Sequence, residues 1–192
     1  RITDMLEKPN ENFQYNGSTL TYPDIKLIYW AGGNPFHHHQ DLNRMIRAWQ
    51  KPDTIICNEW SWNALAKHSD IILPCTTSLE RNDIMLSPRD PYVVYMEKII
   101  EPIGESKSDF EIFCGLSKEL GFLEKYSENK NELDWIKWIY ESSRERQNDP
   151  SAFPPFDKFI EKGWFKVPDP STPKLLLGNF IENPNKYPLK TP

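Results

Sequence analysis

The chain has 192 residues, enough to bury a sizeable core, and 28 acids against 23 lysines and arginines give it a formal net charge of −5. That balance, with bases and acids interleaved and no basic stripe, excludes a nucleic-acid backbone as partner. No apolar run is long enough for a membrane span; the longest are strand-like pieces such as Ile71-Ile-Leu73.

Residues 1 to 24 are polar and read as an irregular lead-in that opens at Arg1 without an initiator Met, as in a piece of something longer. A first strand is predicted over Ile25 to Trp30. It runs into Gly32-Gly33-Asn34-Pro35, and the apolar face Leu42, Met45, Ile46, Trp49 follows at i, i+3, i+4, i+7, the spacing of a helix. Lys51-Pro-Asp53 ends that helix. A second strand, Thr54 to Cys57, stops at Asn58-Glu59; a short helix, about Ser61 to Lys67, leads to a third strand at Ile71 to Leu73. Strand and helix alternating with short connections predict a parallel sheet with right-handed crossovers.

Val93 to Ile100 reads as a further strand. Ser108-Asp-Phe-Glu111 is a capping box, opening a helix expected to bury Phe113, Leu116 and Leu120 and to end at Gly121. Another helix is expected over Leu133 to Ser142, with Leu133, Ile136 and Tyr140 on one face. Nine of the 17 prolines of the chain lie beyond Asp149, and only a short helix at Phe156 to Lys162 is allowed there.

The strand–turn–helix junction at 30–43 is where an α/β fold places a phosphate or nucleotide, because strand carboxyl ends form a crevice and helix-start N–H groups attract anions. Gly32-Gly33 lets backbone approach a ligand, and equally makes a plain turn. Asn34 could offer its amide to a phosphate or satisfy its own turn. His37-His38-His39 point about 100° apart on a helix and do not converge on a metal; His68 lies far from them in sequence. Asn58 and Glu59 stand where a carboxylate takes a ribose diol or base edge, or where an ordinary surface acid would stand. Trp60 and Trp62 are expected to pack. Arg81 could pair with a phosphate or bridge Glu80 or Asp83. Asp109, at a helix start, is favoured there by the helix dipole wherever it occurs. Cys57, Cys75 and Cys114 give neither a disulfide framework nor a zinc pattern. No catalytic residue and no metal ligand emerges.

Tyr29-Trp-Ala-Gly-Gly-Asn-Pro-Phe-His-His-His-Gln-Asp-Leu-Asn-Arg44, Ala66-Lys-His-Ser-Asp-Ile-Ile-Leu-Pro74 and Thr76-Thr-Ser-Leu-Glu-Arg-Asn-Asp83, in that order, closely resemble the molybdopterin oxidoreductases. The branch is that of biotin sulfoxide, trimethylamine N-oxide and dimethyl sulfoxide reductases. The resemblance implies an α/β, parallel-sheet, Rossmann-like three-layer domain over residues 25–125. A helical and Pro-rich extension over 126–192 would lead toward a further domain. It implies the family's third domain, which embraces the guanosine end of one molybdopterin guanine dinucleotide of a bis(molybdopterin guanine dinucleotide) molybdenum cofactor.

By that resemblance Asn34 and His38, next to Gly32 and Gly33, line the cofactor. Asn58 and Glu59 meet the guanosine, where relatives often carry Asp at the position of Glu59, and Arg81 and Asp109 complete the set. The family's metal ligand lies in an earlier domain, so the implied partners are the remaining domains of the same enzyme and a small S-oxide or N-oxide. Family members occupy both periplasm and cytoplasm, and this stretch alone is expected to be inactive. The rival expectations are a stand-alone nucleotide-binding domain without molybdenum chemistry, and an interaction domain with tryptophans among Trp135, Trp138 and Trp164 exposed.

Overall fold

The computed structural model describes residues 1–87, 90–147, 149–169 and 175–189. The structure is mixed α/β. Its central element is a parallel three-stranded sheet in the order β3 (Leu27–Ala31), β4 (Thr54–Glu59), β5 (Ile71–Pro74). The three expected parallel strands are therefore present, each displaced or extended by one or two residues at an end. The chain divides into two compact units. One holds Arg1–Cys57, Asn63–Ile71 and the described residues beyond 169; the other holds Asn58–Trp62 and Ile72–Asp169. This division runs across the 25–125 segment.

In the first unit the expected irregular lead-in is ordered. Helix α1 (Ile2–Glu7) precedes an antiparallel hairpin of β1 (Asn12–Tyr15) and β2 (Ser18–Thr21), registered Tyr15 to Ser18. Asn16 and Gly17 have φ of 48° and 77°, the left-handed pair that a two-residue hairpin turn requires and that Asn-Gly supplies. Arg44 fixes α1 to α3 (Leu42–Ala48): its Nε donates to Glu7 Oε2 at 2.9 Å and its Nη2 to Asp4 Oδ1 at 2.7 Å. Of the expected stripe on α3, Met45 and Trp49 are fully buried, Ile46 is half-buried and Leu42 is exposed; Ala48 completes the inner face.

The Trp49 indole donates to His68 O at 3.0 Å, and Phe36 packs edge-on against it. Helix α4 (Ala64–Lys67) starts three residues later than expected because Asn63 caps it, accepting from Ala66 N at 3.1 Å. A short α9 (Gly178–Glu182) also belongs to this unit.

The second unit carries an antiparallel sheet that the sequence analysis anticipated only in part. Its order is β6 (Asp83–Ser87), β7 (Asp90–Met96), β8 (Trp164–Lys166), with Val93 opposite Leu86 on one side and Phe165 on the other. The strand expected at 93–100 thus starts earlier and ends at Met96. Ile99 and Ile100 leave the sheet, both amides donating to Leu79 O, and both side chains are exposed. Beneath the sheet, Val93, Phe165, Tyr140 of α7 (Glu132–Glu145), and Phe156 and Phe159 of α8 (Phe156–Lys162) form one core. The Tyr140 and Phe159 rings stack at 4.6 Å, and the Tyr140 hydroxyl donates to Pro154 O at 2.6 Å, which satisfies its buried polar end.

Helix α5 (Asp109–Glu119) carries the expected capping box, Ser108 Oγ accepting from Glu111 N and Glu111 Oε2 accepting from Ser108 N. Its inner face differs from the expectation: Ile112 and Ser117 are buried, whereas Leu116 and Leu120 are exposed and Phe113 is half-buried. The reason is α6 (Leu123–Ser127), which folds back so that Tyr126 takes a place beside Phe110 and Phe113. In the Pro-rich extension the expected α8 forms with the expected bounds, while β8 was not anticipated. Residues 170–174 and 190–192 of that extension lie outside the described residues.

Phe159 is fully buried in this aromatic core. Phe159→Ala is expected to lower unfolding free energy by about 3–5 kcal/mol, because it removes the ring's burial and leaves a cavity. Urea denaturation of the two proteins checks this, and a loss below about 1 kcal/mol contradicts the assigned core.

Candidate functional site

The candidate residues fall in two places, one in each unit. In the first unit, β3 ends in Gly32 and Gly33 with φ of 77° and 68°. Glycine is needed there for the left-handed backbone rather than for space, since a Cβ at either position would meet nothing within 4 Å. The Trp30 indole donates to Gly32 O at 2.9 Å and steadies the turn. Helix α2 (Pro35–His38) is a single turn, so the expected row of open helix-start amides is not formed. Phe36 N donates to Asn34 Oδ1 at 3.0 Å, His37 N to Asn34 O at 3.0 Å, and Pro35 has no N–H. What is left is Asn34 itself: the side chain is 8% exposed and its Nδ2 has no hydrogen-bond partner.

His38 is exposed, as are His37 and His39, and no group of three His, Cys, Asp or Glu able to hold a metal occurs among the described residues. His68, expected far from this turn, stacks on Phe36 at 4.6 Å.

In the second unit, Asn58 and Glu59 at the end of β4 are 4% and 8% exposed, so neither is an ordinary surface residue. Asn58 Nδ2 donates to Asp109 Oδ1 at 2.7 Å, fixing the strand end to the first residue of α5. Glu59 Oε1 accepts from Trp60 N at 3.0 Å, and Glu59 O accepts from Cys75 N at 3.3 Å. Trp60 and Trp62, expected to pack, are 67% and 72% exposed. The strand ends where the Glu59 carboxylate takes the Trp60 amide, and both indoles fall beyond it.

Arg81 Nη1 pairs with Asp83, one of the two acids expected to compete for it. The other, Glu80, is buried and otherwise engaged: Thr77 N, Thr77 Oγ1 and Ile103 N each donate to it at 2.7 Å. Those three bonds to the ionised form hold its carboxyl below the ordinary value of 4.5.

Cys75 reports how the charged residues converge. Burial pushes its thiol up to about 11, the negative charges of Asp109 and Glu59 add to the rise, and Arg81 opposes it. One sulfur therefore lies within electrostatic reach of three of the expected site residues, and it stays protonated at neutral pH. Arg81 and Asp109 also line a cavity of about 280 Å³ together with Phe110 and Trp135. Cys75 and this aromatic lining were missed by the sequence analysis. A half-buried thiol carries no motif, and Trp135 arrives from a helix more than fifty positions beyond Arg81.

A three-stranded parallel sheet with helices between its strands, its central strand ending in buried polar side chains, defines an α/β protein. The family model for molybdopterin oxidoreductase matches residues 5–119. The chain belongs to the molybdopterin oxidoreductase family. Over its whole length it is 43% identical to a biotin sulfoxide reductase and 42% identical to a dimethyl sulfoxide/trimethylamine N-oxide reductase, both of Cereibacter sphaeroides. It is 44% identical to a trimethylamine-N-oxide reductase of Haemophilus influenzae. It spans 26%, 24% and 24% of those relatives, about a quarter of their length. Among solved structures, acetylene hydratase from Pelobacter acetylenicus superposes with a TM-score of 0.60 at 20% identity, over 88% of this chain and 20% of that one, a likeness of fold. Among the described residues no helix is long and apolar enough to cross a membrane.

The Glu80 bonds carry a pH dependence. Because its folded value is depressed, its contribution to stability is present above the unfolded value near 4.5 and is lost as pH falls through the folded value below that. Glu80→Gln is expected to flatten the acid limb of the Tm–pH curve below about pH 5 while destabilising the chain at neutral pH. Parallel acid limbs in thermal melts of the two proteins would contradict the role given to the carboxylate.

Proposed function

We propose that this chain is the part of a molybdenum-dependent S-oxide or N-oxide reductase that holds the guanosine end of a molybdopterin guanine dinucleotide. The observation that carries the reading is the buried pair Asn58 and Glu59, with Asn58 bonded to Asp109 at 2.7 Å and Arg81 lining one cavity with Asp109. Family membership supports a molybdenum–pterin cofactor in the whole enzyme, and the names of the relatives support biotin sulfoxide, dimethyl sulfoxide or trimethylamine N-oxide as the class of substrate. When bound, the group supplies oxygen-atom transfer coupled to two electrons and two protons.

The share of this chain is binding and placement. The Glu59 carboxylate accepts two hydrogen bonds, from a ribose diol or from the N–H groups of a guanine edge. Asn58, through its bond to Asp109, sets the orientation of the second carboxylate. Arg81 offers a charge-assisted donor to a phosphate once it leaves Asp83. In the first unit the residues present also fit a bound polar group: the buried Nδ2 of Asn34 is a donor without an acceptor, and exposed Gly32 and Gly33 leave the backbone open beside it. His38, exposed on α2, is the further residue assigned to the cofactor on this reading.

GDP is the accessible probe of the guanosine end. Titrating the chain with GDP is expected to give saturable amide NMR shifts centred on Asn58, Glu59, Arg81 and Asp109. Glu59→Ala is expected to weaken binding at least about tenfold, the value of a charged hydrogen bond, with an unchanged circular dichroism spectrum. No perturbation at millimolar GDP overturns the guanosine assignment.

A further inference from the structure

Two threonines follow β5 side by side, and the fold treats them differently. The Thr77 hydroxyl donates to Glu80 at 2.7 Å, whereas Thr76 is 8% exposed and its Oγ1 has no hydrogen-bond partner. A buried hydroxyl without a partner costs about 1–3 kcal/mol, so its survival calls for an explanation.

The backbone fixes where this hydroxyl lies. Thr76 N donates to Lys107 O at 3.0 Å, Lys107 N donates to Pro74 O at 3.1 Å, and Cys75 pairs with Lys107 as a single parallel bridge. Residue 76 is thereby held beside the residue that precedes the Ser108 cap and Asp109. Its neighbour Cys75 donates its amide to Glu59 O, so the backbone that carries the orphan hydroxyl is tied at one residue to Glu59 and at the next to the segment that leads into Asp109.

We propose that Thr76 is a further ligand-positioning residue, its hydroxyl hydrogen-bonding the nucleoside part of the nucleotide, a ribose hydroxyl or a guanine edge, rather than the diphosphate. This rests on the guanosine reading given above. The preference for the nucleoside follows from charge. The thiol next to it in the chain, Cys75, feels the negative charges of Asp109 and Glu59, and Arg81, the guanidinium that opposes them there, is the group already assigned to a phosphate. A neutral group rich in N–H and O–H donors suits that field, and a second anion does not.

The test compares wild type, Thr76→Val and Thr76→Ser for binding of guanosine and of GDP by calorimetry, with inorganic pyrophosphate as competitor and urea denaturation of each protein without ligand. Thr76→Val is expected to be at least as stable as wild type without ligand, because no internal bond is lost. It is expected to bind guanosine and GDP roughly three- to tenfold more weakly, with Thr76→Ser close to wild type and pyrophosphate affinity unchanged.

Equal guanosine affinity in wild type and Thr76→Val overturns the inference and leaves the guanosine reading standing. So does a Thr76→Val protein that loses stability without ligand, which would mean the hydroxyl is a structural bond, or one that loses affinity for pyrophosphate alone. A wild-type chain that binds neither guanosine nor GDP overturns the guanosine reading, and this inference with it.

Discussion

A buried strand that ends in polar side chains sets the terms for everything around it. β4 carries Ile55 and Cys57 into the interior and then Asn58 and Glu59, all four under 9% exposed. A buried amide or carboxylate is tolerated only with its hydrogen bonds in place, because desolvation otherwise costs several kcal/mol. The partners come from three directions. Asp109 at the start of α5 accepts from the Asn58 amide, the Trp60 amide donates to the Glu59 carboxylate, and the Cys75 amide donates to the Glu59 carbonyl. Each requirement places a different segment. The Asn58 bond ties the start of α5 to the end of β4, and the Cys75 amide ties the segment after β5 to it.

That accounting also shows where the fold leaves a polar atom without a partner. Asn34 Nδ2 and Thr76 Oγ1, one in each unit, are among the described residues the buried side-chain polar atoms without a partner, whereas the hydroxyls of Thr77 and Ser117 find acceptors nearby. Unpaired buried donors are rare enough that each needs a reason, and sites kept ready for a ligand are where a fold retains local cost. Asn34 is itself a residue that the family resemblance selects, and Thr76 follows Cys75, whose amide donates to the carbonyl of another, Glu59.

The parts of the fold governed by local periodicity or punctuation were legible in the sequence. The three parallel strands, the capping box at Ser108–Glu111 and the helix Phe156–Lys162 each announce themselves within a dozen residues. The antiparallel sheet did not, because β8 is three residues long and its pairing with β7, Tyr92 opposite Lys166, is set by a core assembled from distant segments. The hairpin at 12–21 has a local signal in Asn16-Gly17 that the reading of 1–24 as an irregular lead-in did not use, because its strands are polar. On α5 the period was right and the face was wrong, since which stripe is buried depends on α6 folding back. Trp60 and Trp62 failed for a related reason. Size favours burial of indoles on average, but a strand end closed by its own carboxylate puts them outside.

Glu80 and Arg81 show how one motif divides between architecture and availability. Both belong to the Glu-Arg-Asn-Asp segment, and sequence alone could not say which acid the arginine would meet. The structure gives Glu80 three donors and burial, so removing it from its loop means breaking several bonds at once. Arg81 keeps an ion pair with an exposed carboxylate two residues away, its own side chain 29% exposed and that of Asp83 41%. Pairs of that kind contribute about 0–1 kcal/mol, so exchanging Asp83 for an incoming anion costs little. On the proposed reading, in which Arg81 takes a phosphate, the arginine is best held by a group that can be displaced, on a loop tied down by other bonds. The buried neighbour supplies the fixed loop, and the exposed aspartate supplies the displaceable partner.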